Sequence, residues 1–416
     1  MSPSSSTTRI TVRSLVSSAM RRDYAAGVER LRRKLEAGDA VVAGVLSGTS
    51  ADGIDVVLAR PSVACADAVS RLASLETLAF ATLGFAPELG ARVRAALDGV
   101  SIGPREIALL SRDLGIAFGR AARAEADAHG LELDLVASHG QTIYHHDGAE
   151  GSGPASLQLG DGDFCAEAAA CCVVSDFRQR DLAAGGEGAP VSALVDDLLL
   201  AGAPRPILLL NLGGMANLTF LGAAGECLAF DTGPAGSLLD GLARRLCDVS
   251  YDEGGSRALA GRADLELVAE LAAHQFFSAA PPKSTGRDTF GEAWVGDVLA
   301  RAESRGAREP ADLLATAVRL VARTVARGLE HLPARPAELL VAGGGVMNRA
   351  LMAALALETA LPVRSSAIRG LDPHAREALV FAGLGVRALL GEPSSNPAAT
   401  GARAGRILGK ISPAAR

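Results

Sequence analysis

Twice along the chain an apolar strand runs into a glycine-rich turn and leaves it as a second apolar strand. The first unit is AVVAGVLSGTSADGIDVVLAR (40–60) and the second is PILLLNLGGMANLTF (206–220), followed by CLAFD (227–231). Short apolar runs bounded by Gly, Ser, Asp and Asn read as β-hairpins. Further strands and helices follow each unit. LDLVAS (133–138) and residues 172–177 read as buried strands, and Leu89, Val93, Ala96 and Ile107, Leu110, Leu114, Phe118 recur at helical spacing within 86–130. After the second unit comes a mainly helical stretch, 238–332, then the strand, glycine turn and helix of 338–356, and a helix over 375–391. This weak duplication fits two similar α/β domains with a cleft between them. With 416 residues, 49% of them apolar, the chain is long enough for two separate cores. The expected division is an N-terminal extension 1–40, a first lobe 41–205 and a second lobe 206–384, with 385–416 returning to the first.

Composition removes several function classes. A net charge of −6 and 4% aromatics disfavour nucleic acid as a partner, because phosphate backbones need a basic surface and bases need stacking platforms. Cys65, Cys165, Cys171, Cys172, Cys227 and Cys247 show no zinc-ligand spacing and read as reduced core thiols. No run is long and apolar enough to predict a membrane span. Residues 9–22 carry Arg9, Arg13, Arg21 and Arg22 without an acid, a pattern shared with organelle transit peptides, but no secretory apolar region follows. The reading favoured here is an extension with an amphipathic helix over Tyr24–Glu36, on a cytoplasmic protein.

Three glycine turns are candidates for binding a phosphorylated nucleotide. Glycine lets backbone N–H groups come close to an anion and converge on it. The first turn is Gly48, Thr49, Ser50, Ala51, Asp52, Gly53, Ile54 and Asp55, where Asp52 or Asp55 could hold Mg²⁺ as hard oxygen ligands do. The second is Asn211, Leu212, Gly213 and Gly214, just after a buried strand. The third is Gly343, Gly344 and Gly345, between a strand and a helix. The P-loop pattern GxxxxGK[ST], the dinucleotide pattern GxGxxG and the hydrolase pattern GxSxG are all missing from the sequence.

Candidate chemistry sits at strand ends. Asp231 closes an apolar strand before Thr-Gly-Pro, as either a general base or an Asx-turn residue. Asp176, Arg178, Arg180 and Asp181 follow another strand, as either a solvated ion-pair loop or a sugar-recognition cluster. His139, Gln141 and Thr142 end a third strand, where His139 is either a structural hydrogen-bonder or part of a wall for sugar hydroxyls. Lys283–Arg287 is a basic turn, either a surface loop or a positioning element. Glu377 lies early in a helix, where the dipole favours a carboxylate; the sharper reading is a metal contact.

These residues, in this order, resemble the anhydro-N-acetylmuramic acid kinase family. The matching segments include GVLSGTSADGIDV (44–56), SHGQTIYH (138–145), SDFRQRDLAAGGEGAPV (175–191), NLGGMANLT (211–219), FDTGPAGSLLD (230–240), PPKSTGRDTF (281–290) and AGGGVMNRALM (342–352), spread over about 42–412. The resemblance implies two RNase-H-like domains of the actin-like ATPase class, with ATP in the cleft and Mg²⁺ beside it. It implies that water opens a 1,6-anhydro bridge while the freed 6-oxygen takes the γ-phosphoryl group, in cell-wall sugar recycling. It assigns Asp231 as the base, which must be ionised to act. It places Thr142 and Arg180 on the sugar, Gly48–Asp55 on the ATP phosphates, Gly343–Gly345 on the nucleoside and Glu377 in the metal region. It further implies a homodimer. The alternatives are a kinase of another anhydrosugar such as levoglucosan, and a non-catalytic sugar sensor on the same fold. The sequence departs from the family pattern at Ala51, where Leu is usual, at Gly236, where Asn is usual, and after GAP, where VSALVDDLLL stands in place of Leu, Pro and a His-containing helix.

Overall fold

The computed structural model describes residues 18–48, 51, 53–66, 69–97, 100–146, 148, 151–306 and 309–413, with side chains from residue 26 onward. Thr49, Ser50 and Asp52 of the first glycine turn lie outside the described residues.

The duplication suspected in the sequence is a duplication of strand order. In the first sheet β1 (Val42–Ser47), β2 (Ile54–Ala66) and β3 (Val69–Leu83) form an antiparallel meander. On the other side of β1, β4 (Leu135–His146) pairs parallel, and β6 (Cys172–Ser175) pairs parallel to β4. In the second sheet β7 (Ile207–Leu212), β8 (Met215–Leu221) and β9 (Cys227–Pro234) repeat the meander. There β10 (Leu339–Ala342) and β11 (Val363–Ser365) repeat the parallel extension. The orders β3-β2-β1-β4-β6 and β9-β8-β7-β10-β11 are the same. The first sheet adds β5 (Ala155–Leu159) on β4 and β12 (Lys410–Ser412) on β6.

Each sheet buries its own outer face. Val45, Val136 and Val173 pack against Leu110, Leu114 and Phe118 of the helix Pro104–Ala128, which is the spacing read from the sequence. Leu208, Leu210 and Leu212 pack against the helices Gly236–Cys247 and Pro310–Gly328. The inner faces share one core. Leu46, Leu135 and Val174 of the first sheet join Ile207, Leu209 and Leu340 of the second through Val195, Leu379, Phe381 and Leu384. Those last residues belong to the helices Ala193–Leu199 and Arg376–Leu390.

The helix Arg376–Leu390 lies on β1, β2, β3 and β4. A Cβ at Gly44 of β1 would overlap the carbonyl of Ala378, so only glycine allows this approach. The chain therefore rejoins the first sheet at Arg376, earlier than the 385 expected from sequence, and β12 completes that return. The N-terminal helix Ser18–Glu36 begins before the Tyr24 expected. Its Leu31 and Leu35 enter the shared core and Lys34 meets Asp134 at 2.6 Å, so this part of the extension belongs to the first lobe.

At the seam between the sheets Arg376 (2% exposed) and Asp196 (0%) form a buried ion pair, with Arg376 Nε 2.8 Å from Asp196 Oδ1. Thr219 of β8 donates to Asp196 Oδ2 at 3.3 Å, and a further guanidinium nitrogen donates to Ser192 Oγ at 3.0 Å. Removing one partner of such a pair strands the other charge. Arg376→Met is expected to cost about 3–5 kcal/mol in urea unfolding, with Arg376→Met/Asp196→Leu recovering most of it. Equal losses in the single and double variants would contradict this.

Candidate active site

Because β1, β4 and β6 run parallel, their carboxyl ends emerge together, the usual ligand side of such a sheet. Gly48 and Asp176–Arg178 follow the ends of β1 and β6, and Gly140–Thr142 lie within β4 at that level, where it runs on past its two neighbours. Gln141 binds two of these pieces, its Nε2 donating to Gly48 O and to Thr142 O, both at 3.2 Å. Gly53 is required where it stands, since a Cβ would lie 2.7 Å from Leu83 O. Asp55, next along β2, accepts from Thr82 Oγ1 at 2.6 Å.

In the second sheet Asn211, Asn217 and Asp231 are direct cross-strand partners on β7, β8 and β9, so they share one face. Their alternation with Leu210, Leu218 and Phe230, which fill the outer core, turns this polar row toward the first lobe. Gly343 follows β10 beside Asn211; its φ of +83° and a Cβ position 2.6 Å from Leu212 O exclude a side chain. The Gly343 N–H is spent on Pro373 O at 2.7 Å, while Gly344 is exposed. The Gly213 and Gly214 carbonyls accept the N–H groups of Ala235, Gly236 and Ser237, so this turn caps the following helix. A Cβ at 236 would lie 2.9 Å from Gly213 O, which ties Gly236 to that close contact.

Asp231 is 6% exposed. Its Oδ2 accepts the Thr285 N–H at 2.9 Å, and its own N–H donates to Lys283 O at 3.1 Å. Burial pushes its carboxyl up to about 7, against the Thr285 N–H and the charges of Arg178 and Lys283. The sequence reading asked for an ionised carboxylate; burial leaves this one poised between its two forms near neutral pH. A base of that kind pairs a useful ionised fraction with real proton affinity. Lys283 is itself buried, donates to Phe276 O at 3.0 Å and lies 4.9 Å from the Phe276 ring centre. Desolvation brings its ammonium down to about 8, against the pull of Asp231.

Arg178 is the cation of the SDFRQRD segment that faces the site. Its Nε donates to His139 Nε2 at 3.1 Å, and its guanidinium is felt by both Asp231 and Glu377. His139 is 5% exposed, tilted against Phe381 with ring centres 4.4 Å apart, and its Nδ1 is 3.2 Å from Gly140 O. Burial holds this ring neutral, with the Arg178 charge acting the same way. Nδ1 therefore carries the proton given to Gly140 O, and Nε2 is free to accept from Arg178. Both ring nitrogens are committed within the protein, so His139 orients an arginine, which corresponds to the structural hydrogen-bonder of its two sequence readings. Glu377 is half-buried and raised by burial, with Arg376 and Arg178 opposing and Asp55 adding repulsion. Among the described residues no group of three or more His, Cys, Asp or Glu forms a metal cage.

The remaining candidates are more scattered. Thr142 Oγ1 accepts from Gln158 Nε2 at 3.2 Å. Asp176, in the left-handed region at φ 59°, pairs with Lys410 of β12. Arg180 is exposed, and Asp181 is buried as the acceptor for Gly188 N and Thr400 Oγ1. Arg178 and Thr285 carry more of the site than their sequence context advertised. Asn217 carried a signal that went unused, its place opposite Asp231 in a strand-turn-strand unit.

The strand order, repeated in two sheets, defines a two-lobed α/β protein of the actin-like ATPase class. The family model "Anhydro-N-acetylmuramic acid kinase" matches residues 40–414, and the chain belongs to that family. A relative of that name from Xanthomonas campestris is 40% identical over 381 residues, 89% of this chain and 97% of its own. Relatives of the same name from Gloeobacter violaceus and Salinibacter ruber are 37% and 38% identical, each over 89% of this chain and covering 98% and 96% of their own. Among solved structures, an activator of the 2-hydroxyisocaproyl-CoA dehydratase from Clostridium difficile with bound ADPNP aligns with a TM-score of 0.40 and 14% identity, over 84% of this chain and 95% of that one. The fold assignment rests on the strand order.

If Asp231 is the proton acceptor, kcat/KM must fall as the carboxyl protonates. A decline of about tenfold per pH unit is expected below about pH 7, with a plateau above it. A profile flat from pH 5 to 8, measured as initial ADP release, would remove Asp231 from that role.

Proposed function

We propose that this chain is an ATP-dependent kinase acting on 1,6-anhydro-N-acetylmuramic acid, giving N-acetylmuramic acid 6-phosphate and ADP. Family membership supports the reaction class. The observation that carries the chemical reading is Asp231: a buried carboxyl gripped on two sides, on a polar row turned toward the other lobe.

In this reading Asp231 takes a proton from water as the water oxygen bonds to the anomeric carbon. The bond from that carbon to the bridging 6-oxygen breaks, and the 6-oxygen bonds to the γ-phosphorus of ATP as the bond to the β-phosphate oxygen breaks. Arg178, fixed by neutral His139, supplies positive charge beside the carboxylate and toward the phosphoryl group. Phosphoryl transfer depends on positioning and charge neutralisation more than on covalent help from the protein. The 48–55 turn is assigned to the phosphates, Asn211 and Gly343–Gly345 to the nucleoside side, and Thr142 to the sugar. Arg180 is exposed and has no hydrogen bond or ion pair among the described residues, so it is assigned the lactyl carboxylate.

Asp55 and Glu377 fit a Mg²⁺ ion. Their carboxyls lie close enough to repel, and Mg²⁺ commonly takes one or two carboxylates while phosphates and waters complete its shell. When bound, the ion would neutralise charge on the triphosphate. A cytoplasmic location and a homodimer belong to the same reading; among the described residues no helix is long and apolar enough to cross a membrane.

Asp231→Asn is expected to keep ATP affinity and lose more than ~100-fold in turnover, as removal of a general base does. ADP release should be measured against anhydro-N-acetylmuramic acid, levoglucosan and ordinary sugars, with the phosphate position read by mass spectrometry. Phosphorylation of levoglucosan alone would overturn the substrate, and ADP release from none of the sugars would overturn the kinase.

A further inference from the structure

The β4–β5 hairpin of the first lobe reaches the segment of the second lobe that holds Asp231. His145, on β4, is 7% exposed, and its Nε2 lies 3.1 Å from the Oγ of Ser284, which is 0% exposed. The chain passes close here, since a Cβ at Gly286 would lie 3.3 Å from His145 O. Burial drops the imidazole to about 3, with the charges of Arg178 and His146 adding to the effect, so the ring is neutral. Its Nδ1 is buried and has no hydrogen-bond partner among the described residues. A lone contact thus fixes this ring by its polar edge, and that contact crosses between lobes.

On the far side of the contact, Ser284 is the middle of a three-residue strap. Lys283 O accepts the Asp231 N–H at 3.1 Å, and the Thr285 N–H donates to Asp231 Oδ2 at 2.9 Å. The strap grips Asp231 from both sides, and its central side chain is held by the opposite lobe. Strap and imidazole cannot shift independently without leaving buried polar groups unpaired, which costs far more than a surface bond.

We propose that His145 is a positioning residue for Asp231: through Ser284 it couples the approach of the two lobes to the placement of the carboxylate. The inference rests on the reading of Asp231 as the base. Water activation then follows lobe closure, so an open cleft holds a base that is not aimed.

Four variants and two readouts test it. His145→Phe and Ser284→Ala are each expected to lower kcat about 10- to 100-fold, the loss typical of a misplaced catalytic group, with KM for ATP unchanged. The double variant should be no worse than the poorer single, and His145→Gln, which can still accept from Ser284, should recover most of the rate. Additive losses, or a His145→Gln enzyme as slow as His145→Phe, would overturn the proposal. The second readout needs no turnover. The Asp231 carboxyl, faced by Arg178 and Lys283, is titrated by ¹³C NMR and assigned by difference from Asp231→Asn. Loosening the strap weakens the Thr285 N–H contact with the carboxylate, so the midpoint should move upward in His145→Phe and Ser284→Ala. An unmoved midpoint overturns the strap even in an enzyme that turns over sugar. A midpoint that moves in the two variants, when the wild-type protein turns over none of the sugars, supports the strap and sinks the reading of Asp231 as a kinase base.

Discussion

Arg376 and Asp196 meet where the helices linking the two sheets cross, and neither is exposed to water. Two charges withdrawn from solvent are tolerated only when each has the other and further hydrogen bonds besides. Here Ser192 and Thr219 supply those bonds, from the end of one linking helix and from a strand of the second sheet. The pair therefore sets how the inner faces register. The polar row of the second sheet is turned toward the first lobe by that register.

The same rule operates inside the site. Asp231, Arg178, Lys283 and Glu377 are ionisable groups with little or partial access to solvent, and each is shifted toward neutrality by that loss. No single ion pair satisfies them. The charges share partners instead: Arg178 feels both Asp231 and Glu377, and Asp231 feels both Arg178 and Lys283. A charged substrate entering such a set meets groups that still lack full compensation, a condition under which electrostatic stabilisation is strongest.

Much of this was legible in the residues. Hairpin turns announce themselves through Gly, Asp and Asn, and parallel strands through unbroken apolar runs, so the first hairpin, the second meander and the strand-end candidates could be read; β3, which is mostly not buried and has no long unbroken apolar run, was missed. The helix Arg376–Leu390 was split wrongly because an apolar helix carries no mark of which sheet it covers; the mark was Gly44, more than three hundred positions away. His139 stays open in sequence, between a structural hydrogen-bonder and part of a sugar wall, for a related reason. Its two partners, Gly140 O and Arg178 Nε, appear only when β4 and β6 lie side by side. The raised carboxyl of Asp231 was equally unreadable, since desolvation depends on what the second half of the chain places over it.

The return of residues 376–412 to the first sheet has a consequence for how the molecule is made. A domain emerging from the ribosome can settle once its parts are outside, and synthesis delivers those parts from the amino end at a finite pace. Here the helix that covers β1 and the edge strand beside β6 are translated only after the strands of the second lobe. The second lobe is complete while the first still exposes an uncovered apolar face. The order of assembly thus runs against the order of synthesis, and that face of the first half stays open to other chains until residues 376–390 arrive to cover it.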